Sequence, residues 1–357
     1  MVHLPSKWYN NCDLHRILLW YWPGFPIGYL LLHYCFHFQF GFCVPLGQSI
    51  AMGDEVLRCV LIVNPKAGNR NPLETVFPSV QAAFCDRKVD FTWYKTKYPG
   101  HATEIAEREA ARGDTVAIYG FGGDGTLSEI ASGLVGKENA MVGIFPCGSG
   151  NDYIKTFGSE EDFLSPEKQL HAQPRIVDMI RAGDQYAMNI CTMGMDAKIP
   201  LEVEKLKRFR FLSGPAAYNL GLIKTLLGRI GDEMMITIDG SRRYEGCFLM
   251  AVAGCGRYYG GGYYAAPEAV PDDGLLDFIL MRKPAFHRLP KLISLYKAGK
   301  HLKSKEFDGI LTFHRGKRME IMAARPVAQN LDGECSMMEQ TSFEVVPSAI
   351  RFLIPQG

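Results

Sequence analysis

Thr115-Val-Ala-Ile-Tyr-Gly-Phe-Gly-Gly-Asp-Gly-Thr-Leu-Ser-Glu129 joins an apolar, strand-like run to a glycine cluster that carries one carboxylate. Gly120, Gly122, Gly123 and Gly125 lack a Cβ, so they are expected to reach positive φ and bring backbone N–H groups close to an anion. Residues 127–135 read as a helix whose free N–H groups and positive dipole end point at the same place. Asp124 would repel a bare phosphate unless a Mg²⁺ stood between them. The stretch therefore predicts a metal-nucleotide site and not a simple anion hole.

Working outward, the order is strand, helix, strand, helix. A strand over 59–63 runs into the turn Asn64-Pro-Lys-Ala-Gly68, and an apolar-periodic helix follows through Leu73, Val76, Phe77, Val80 and Phe84. Asn71 is the expected N-cap, with Pro72 first in the helix and Glu74 three residues after the cap; Pro78 should then kink it. A strand over 89–94, a helix over 103–112, the 115–119 strand and a strand over 141–145 complete the pattern. The last strand ends in Pro146-Cys-Gly-Ser-Gly-Asn-Asp152. This spacing predicts a parallel sheet with right-handed crossovers, and ligands then gather beyond the carboxyl ends of its strands, where all three glycine turns fall.

Beyond about Pro174 the pattern changes to short strands, expected over 176–180, 186–190, 234–238, 247–253, 276–281, 311–313, 318–322 and 343–346. Strands separated by turns predict an antiparallel β-sandwich as a second domain. A helical insertion over 201–227 has a broad apolar face and a Lys/Arg-rich side, read as a packing helix in preference to a membrane-surface one. The expected division is an atypical extension at 1–51, an α/β domain at 52–175, a β-sandwich domain at 176–345, and a segment at 346–357 that returns to the first domain.

The extension stands apart because residues 17–53 hold no Asp, Glu, Lys or Arg and are crowded with aromatics. We read it as a translated upstream region ahead of a start at Met52; a membrane or interfacial anchor and a signal peptide are the alternatives. The 357 residues carry a net charge of +1 with both signs interleaved, which argues against a nucleic-acid partner. Ten cysteines without a C-x-x-C pair read as reduced, mostly buried thiols of a cytoplasmic protein.

Gly120 to Gly125 also satisfies G-x-G-x-x-G, but the next strand ends in Pro146-Cys147 and offers no acidic residue for a ribose hydroxyl, so the dinucleotide reading fails. No G-x-x-x-x-G-K-[ST] and no protein-kinase motif set is present.

Asn64-Pro-Lys-Ala-Gly68, Gly122-Gly-Asp-Gly-Thr126 and Pro146-Cys-Gly-Ser-Gly-Asn-Asp152, in that order, resemble the catalytic domain of the soluble bacterial diacylglycerol kinase family, which also includes sphingosine and ceramide kinases. Gly260-Gly-Gly262, Ala266-Pro-Glu-Ala269, Asp272-Asp-Gly-Leu275 and Leu331-Asp-Gly-Glu334 resemble the family's later blocks. The resemblance implies an NAD kinase/diacylglycerol kinase-like fold and an ATP site at Asn64, Pro65, Lys66, Ala67, Gly68, Thr96, Gly122, Gly123, Asp124, Gly125, Thr126, Leu127, Ser128 and Ser149. It places Asp124 at the Mg²⁺-phosphate end and makes Glu334 the general base. It also implies a structural Mg²⁺ at Asp273 with the carbonyls of Val270 and Leu275, where the bare sequence offers simply a β-turn. Ser128 stands where the family commonly has Asn, and Asn69 displaces its usual basic residue to Arg70.

The resulting expectation is an ATP- and Mg²⁺-dependent lipid kinase with peripheral access to a membrane surface, phosphorylating most simply diacylglycerol. A sphingoid lipid kinase, an NAD-kinase-like enzyme and a non-enzymatic lipid-binding relative are the rivals. A homodimer paired through its sheet edges is compatible with this chain.

Overall fold

In the computed structural model, residues 50–52, 55–69, 71–199, 201 and 230–356 are described. The expectations for residues 1–49 and for nearly all of the 201–227 insertion lie outside them. Residues 50 and 51, assigned above to the extension, belong to strand β1 (Ile50–Met52), which pairs antiparallel with β2 (Glu55–Val63).

The first half is built on β2, β3 (Phe91–Lys95), β4 (Val116–Gly122) and β5 (Ala140–Pro146), all parallel. Every residue of β4 and β5 is buried, which explains why these strands read as unbroken apolar runs. One face packs on helices α2 (His101–Ala110) and α3 (Asp124–Leu134) through Ile105, Leu127, Ile130 and Leu134. The other packs on α1 (Phe77–Asp86) through Phe77, Val80 and Phe84.

Two helix starts differ from expectation. The capping chemistry at Asn71 is present, since its Oδ1 accepts the Leu73 N–H at 3.1 Å and its Nδ2 donates to Glu74 Oε1 at 3.0 Å, but it closes an isolated turn. The helix itself begins at Phe77, so Pro78 falls in its first turn, where a missing N–H costs nothing, and no kink follows. Helix α3 begins at Asp124, three residues earlier than expected, so the carboxylate belongs to the helix N-terminus and not to a loop before it.

The second half contains β6 (Gln173–Ala182), β7 (Gln185–Ala187), β8 (Ile190–Gly194), β9 (Asp232–Ile238), β10 (Arg242–Gly254), β11 (Leu276–Arg282), β12 (Leu311–Gly316), β13 (Arg318–Leu331) and β14 (Glu334–Ile354). All pairs among them are antiparallel. The strand expected over 186–190 is divided, because Met188 and Asn189 turn their N–H groups to a side chain instead of a ladder. Two long strands make the layers. The first part of β10 pairs with β9 and its last part with β8 and β11; β13 does the same between β9 and β8. Register shifts at Phe248/Met250 and Met322/Val327 turn the corners, the second at Pro326, which could not have donated to a ladder. Helix α4 (Leu289–Lys297), absent from the sequence-based expectation, buries Leu289, Leu292 and Tyr296 against this half.

The halves share one sheet. The 21-residue strand β14 pairs with β13 over Glu334–Glu344, with β6 over Glu344–Ile354, and in parallel with β5 at Arg351↔Met141 and Phe352↔Val142. No break in the ladder falls at 175, which lies inside β6 opposite Phe352. Of the seven described cysteines only Cys59, Cys191 and Cys255 are buried; the expectation of mostly buried thiols is too broad.

Candidate active site

The three glycine turns meet beyond the carboxyl ends of β2, β4 and β5. Asn64 folds the first, its Oδ1 accepting the Lys66 N–H at 3.0 Å while its Nδ2 donates to Thr126 Oγ1 at 3.0 Å. Gly68 closes that turn at φ +64°, and a Cβ there would lie 2.1 Å from the carbonyl oxygen of Cys147 in the third turn. A Cβ on Gly148 would lie 2.5 Å from Gly123 Cα in the second. The turns therefore pack backbone on backbone, and this close approach is what the glycines supply. The expected positive φ at Gly120, Gly122, Gly123 and Gly125 is not found; Gly123 is extended at φ −102°, ψ −164°.

Asp124 does not stand free in the cradle. Its Oδ2 accepts the Asp152 N–H and its Oδ1 the Tyr153 N–H, each at 3.0 Å, so the carboxylate ties the second turn to the third. Burial pushes its pKa upward, against the pull of those two N–H groups. Beside it Asp152 is held by Lys155 Nζ at 2.6 Å and accepts the Gly261 N–H at 2.7 Å, which joins the cradle to the second half.

The turns border a cleft of about 570 Å³ lined by Asn64, Ala67, Gly68, Gly123, Asp124, Gly125, Thr126 and Ser149 on one side, and by Asn189, Tyr259, Gly260, Asn330 and Asp332 on the other. It continues into a 290 Å³ recess with Pro65, Lys66, Thr96 and Glu334, and a 470 Å³ recess with Ser128, Glu129, Asp332 and Glu334. Of the residues assigned to ATP, only Gly122 and Leu127 do not line these spaces; both are buried beneath the loop. Glu334 is exposed at the first position of β14, just past a two-residue Asp332-Gly333 turn with φ +49° and +104°.

Asp332, which in the sequence stands only as one member of the Leu331–Glu334 block, is the best-held carboxylate beside the cleft. Its carboxylate accepts N–H groups from Met188 (2.6 Å), Asn189 (3.1 Å) and Ile190 (3.0 Å) and the Ser128 hydroxyl (3.1 Å), and burial pushes its pKa up to about 6. Those donors lie about 140 and 200 residues away, so no local pattern could have announced them.

Against the cleft, and sharing Tyr259, Gly260 and Asn330 with it, lies an apolar cavity of about 110 Å³. Met195, Ile199, Leu249, Met250, Met281, Leu289 and Leu292 line it. Tyr259 donates its hydroxyl to Asp196 Oδ2 at 3.1 Å on its wall. The other aromatics of the Tyr258–Tyr264 stretch divide: Tyr263 lines the cavity, whereas Tyr258 and Tyr264 stack on each other at 4.5 Å.

The two expected metal positions fare differently. At the cradle, Asp124 and the neighbouring acidic groups suit a Mg²⁺ that takes most of its ligands from phosphate and water, as this ion prefers. The 270–275 turn does not fit a cation in this arrangement. Asp273 pairs with Arg315 and accepts the Leu275 N–H at 3.1 Å, and Arg315 bridges on to Asp277 at 3.0 Å. The guanidinium already neutralises the carboxylate. The turn is closed by protein contacts, including the Gly274 N–H to Asp178 at 2.7 Å.

Comparison with known proteins agrees with this architecture. The diacylglycerol kinase catalytic domain profile matches residues 58–182, and the YegS C-terminal NAD kinase beta sandwich-like domain profile matches residues 189–354. A protein of Chromohalobacter salexigens named "probable lipid kinase YegS-like" is 30% identical over 303 residues, 83% of this chain and 93% of its own length. A diacylglycerol kinase of Bacillus subtilis is 24% identical over 84% of this chain and 97% of its length. The crystal structure of a diacylglycerol kinase from Bacillus anthracis superposes with a TM-score of 0.61 at 23% identity, covering 84% of this chain and 97% of that one, which shows a common fold. This chain belongs to the diacylglycerol kinase-like family of lipid kinases.

Proposed function

We propose that the protein transfers the γ-phosphate of ATP to a lipid hydroxyl, with diacylglycerol as the substrate and phosphatidic acid as the product. The observation that carries this reading is the adjacency of two unlike spaces. A polar cleft formed by three interlocked glycine turns opens directly beside an apolar cavity, through shared Tyr259, Gly260 and Asn330.

Phosphoryl transfer asks the protein mainly for positioning and charge neutralisation. The N–H groups at the start of α3, which a helix leaves without internal partners, face the cleft and suit the phosphates. Asp124 would hold Mg²⁺ together with phosphate oxygens, and the ion would offset the charge of the triphosphate. Glu334, open to the recess that also contains Asn64 and Thr126, accepts the proton of the lipid hydroxyl as its oxygen bonds to the γ-phosphorus. The bond from that phosphorus to the β,γ-bridging oxygen breaks, and ADP leaves. No helix among the described residues is long and apolar enough to cross a membrane.

Labelled ATP, offered with mixed micelles of diacylglycerol, monoacylglycerol, phosphatidylglycerol, sphingosine or ceramide, tests this reading. Label is expected in phosphatidic acid. Glu334→Gln should lower kcat by about 10²–10⁴-fold, the usual worth of a general base, while the protein stays folded. Transfer to NAD without transfer to any lipid would replace this reading with that of a soluble-substrate kinase.

A further inference from the structure

We propose that Ser128 is a positioning residue acting through Asp332: its hydroxyl latches the glycine-loop helix α3 to the β13–β14 hairpin and thereby fixes where Glu334 stands over the cleft. The proposal rests on the kinase reading and gives Ser128 a task other than the nucleotide contact that its place in the motif implies.

The Glu334 side chain has no hydrogen-bond or ion-pair partner among the described residues, and it is exposed. Within the described residues, then, the carboxylate is only as well placed as the turn that precedes it. Four donors to the Asp332 carboxylate help anchor that turn, beside the Gly333 N–H to Asn330 Oδ1 at 2.6 Å and the Leu331↔Cys191 ladder pair. Three of the anchors are N–H groups from residues 188–190, within the second half of the chain. They hold the hairpin to its own half, which meets the first half elsewhere, through β14 on β5 and the Gly261 N–H on Asp152. The Ser128 hydroxyl, at 3.1 Å, is the donor that comes from the other half, across 204 residues of sequence.

The position of Ser128 fits this task. It lies in the first turns of α3, four residues after Asp124, and it lines the recess containing Leu331, Asp332 and Glu334. It does not line the part of the cleft formed by Gly68 and Ser149. The next turn of the helix is held against α2 as well, since Thr103 Oγ1 donates to the Glu129 carbonyl at 2.8 Å and the Ala102 N–H to Glu129 Oε2 at 3.2 Å. A short hydroxyl on a braced helix can hold its partner with little slack. Because a displacement of the base by about 1 Å can cost roughly 10²-fold in rate, even a modest loosening of this latch should be visible in kcat.

The test compares Ser128→Ala, Ser128→Thr, Asp332→Asn and the Ser128→Ala/Asp332→Asn pair. Steady-state kinetics with ATP and diacylglycerol micelles are combined with hydrogen–deuterium exchange of the peptide spanning 331–336. Ser128→Ala should lower kcat about three- to tenfold with the KM for ATP within about twofold, as expected when an interaction is lost in the transition state and not in nucleotide binding. Ser128→Thr, which keeps the hydroxyl, should recover most of that loss. Ser128→Ala should add little once Asp332 is already Asn, because residues acting through one contact are not additive. Exchange in 331–336 should quicken in Ser128→Ala and not in Ser128→Thr.

A raised KM for ATP at constant kcat in Ser128→Ala would make Ser128 a nucleotide ligand and overturn the proposal. Full additivity in the pair, or unchanged exchange at the hairpin, would do the same. If Asp332→Asn does not fold, the Ala/Thr comparison decides the matter alone. If the wild-type protein phosphorylates no lipid, the kinase reading fails, while exchange at 331–336 still decides whether the latch exists.

Discussion

Gly68→Ala is the most searching single change available at the cradle. The new Cβ would sit 2.1 Å from the Cys147 carbonyl oxygen, against a normal lower limit of 3.0 Å, so the first and third turns must part by about 1 Å. The position has φ +64°, where a side chain adds roughly 1–2 kcal/mol. Relieving the overlap adds about 1–3 kcal/mol, the usual cost of overpacking. The total, about 2–5 kcal/mol, should lower Tm by at least 4 °C at roughly 2 °C per kcal/mol, the lower end of the range for larger domains. Because the same 1 Å separates the groups that would hold the phosphates, ATP affinity should fall by more than tenfold, read by calorimetry. Gly113→Ala is the control, since Gly113 has φ +87° with nothing within 4 Å of its Cβ position. It should show the conformational cost and leave ATP binding unchanged. If Gly68→Ala matches Gly113→Ala in both Tm and ATP affinity, the backbone-on-backbone account of the cradle is wrong.

Filling the apolar cavity by Met250→Trp should raise the KM for long-chain diacylglycerol several-fold and leave the KM for ATP unchanged; equal effects on both would separate the cavity from lipid binding. Asp124→Asn replaces one of two oxygens that accept the Asp152 and Tyr153 N–H groups, so it should cost about 1–3 kcal/mol in urea unfolding as well as activity. Buried His301, ringed by Tyr296 and Phe307, has its pKa lowered to about 4, so below pH 6.5 the unfolded chain takes up a proton that the folded one refuses. Stability is therefore complete above pH 6.5 and falls by about 1.4 kcal/mol per unit down to pH 4, and His301→Phe should flatten that slope in Tm measured against pH.

What could be seen in the sequence was whatever had a local cause. Fully buried parallel strands must be apolar throughout, so β4 and β5 were plain, and three turns rich in glycine at their ends showed where the backbone crowds. The errors at Asn71 and Asp124 share one origin. The same side-chain chemistry closes an isolated turn and caps a helix, and only the packing of Phe77 or the meeting of the three turns decides between them. Asp332 was hidden for a different reason: its four donors come from two segments brought to it by tertiary structure. At 270–275 the motif suggested a cation, but Arg315, some 40 residues on, occupies the carboxylate. Helix α4 carries an apolar stripe too short to stand out among strands.

The pairing of β14 with β5 also has a history during synthesis. Met141 leaves the ribosome about 200 residues before its partner Arg351. At roughly 5–20 residues per second, β5 waits some 10–40 s with an open edge. An unpaired, fully apolar parallel strand is an invitation to other chains. The first half, although first to be made, cannot close its sheet until the far end of β14 arrives, and through that interval it is a natural client for a chaperone.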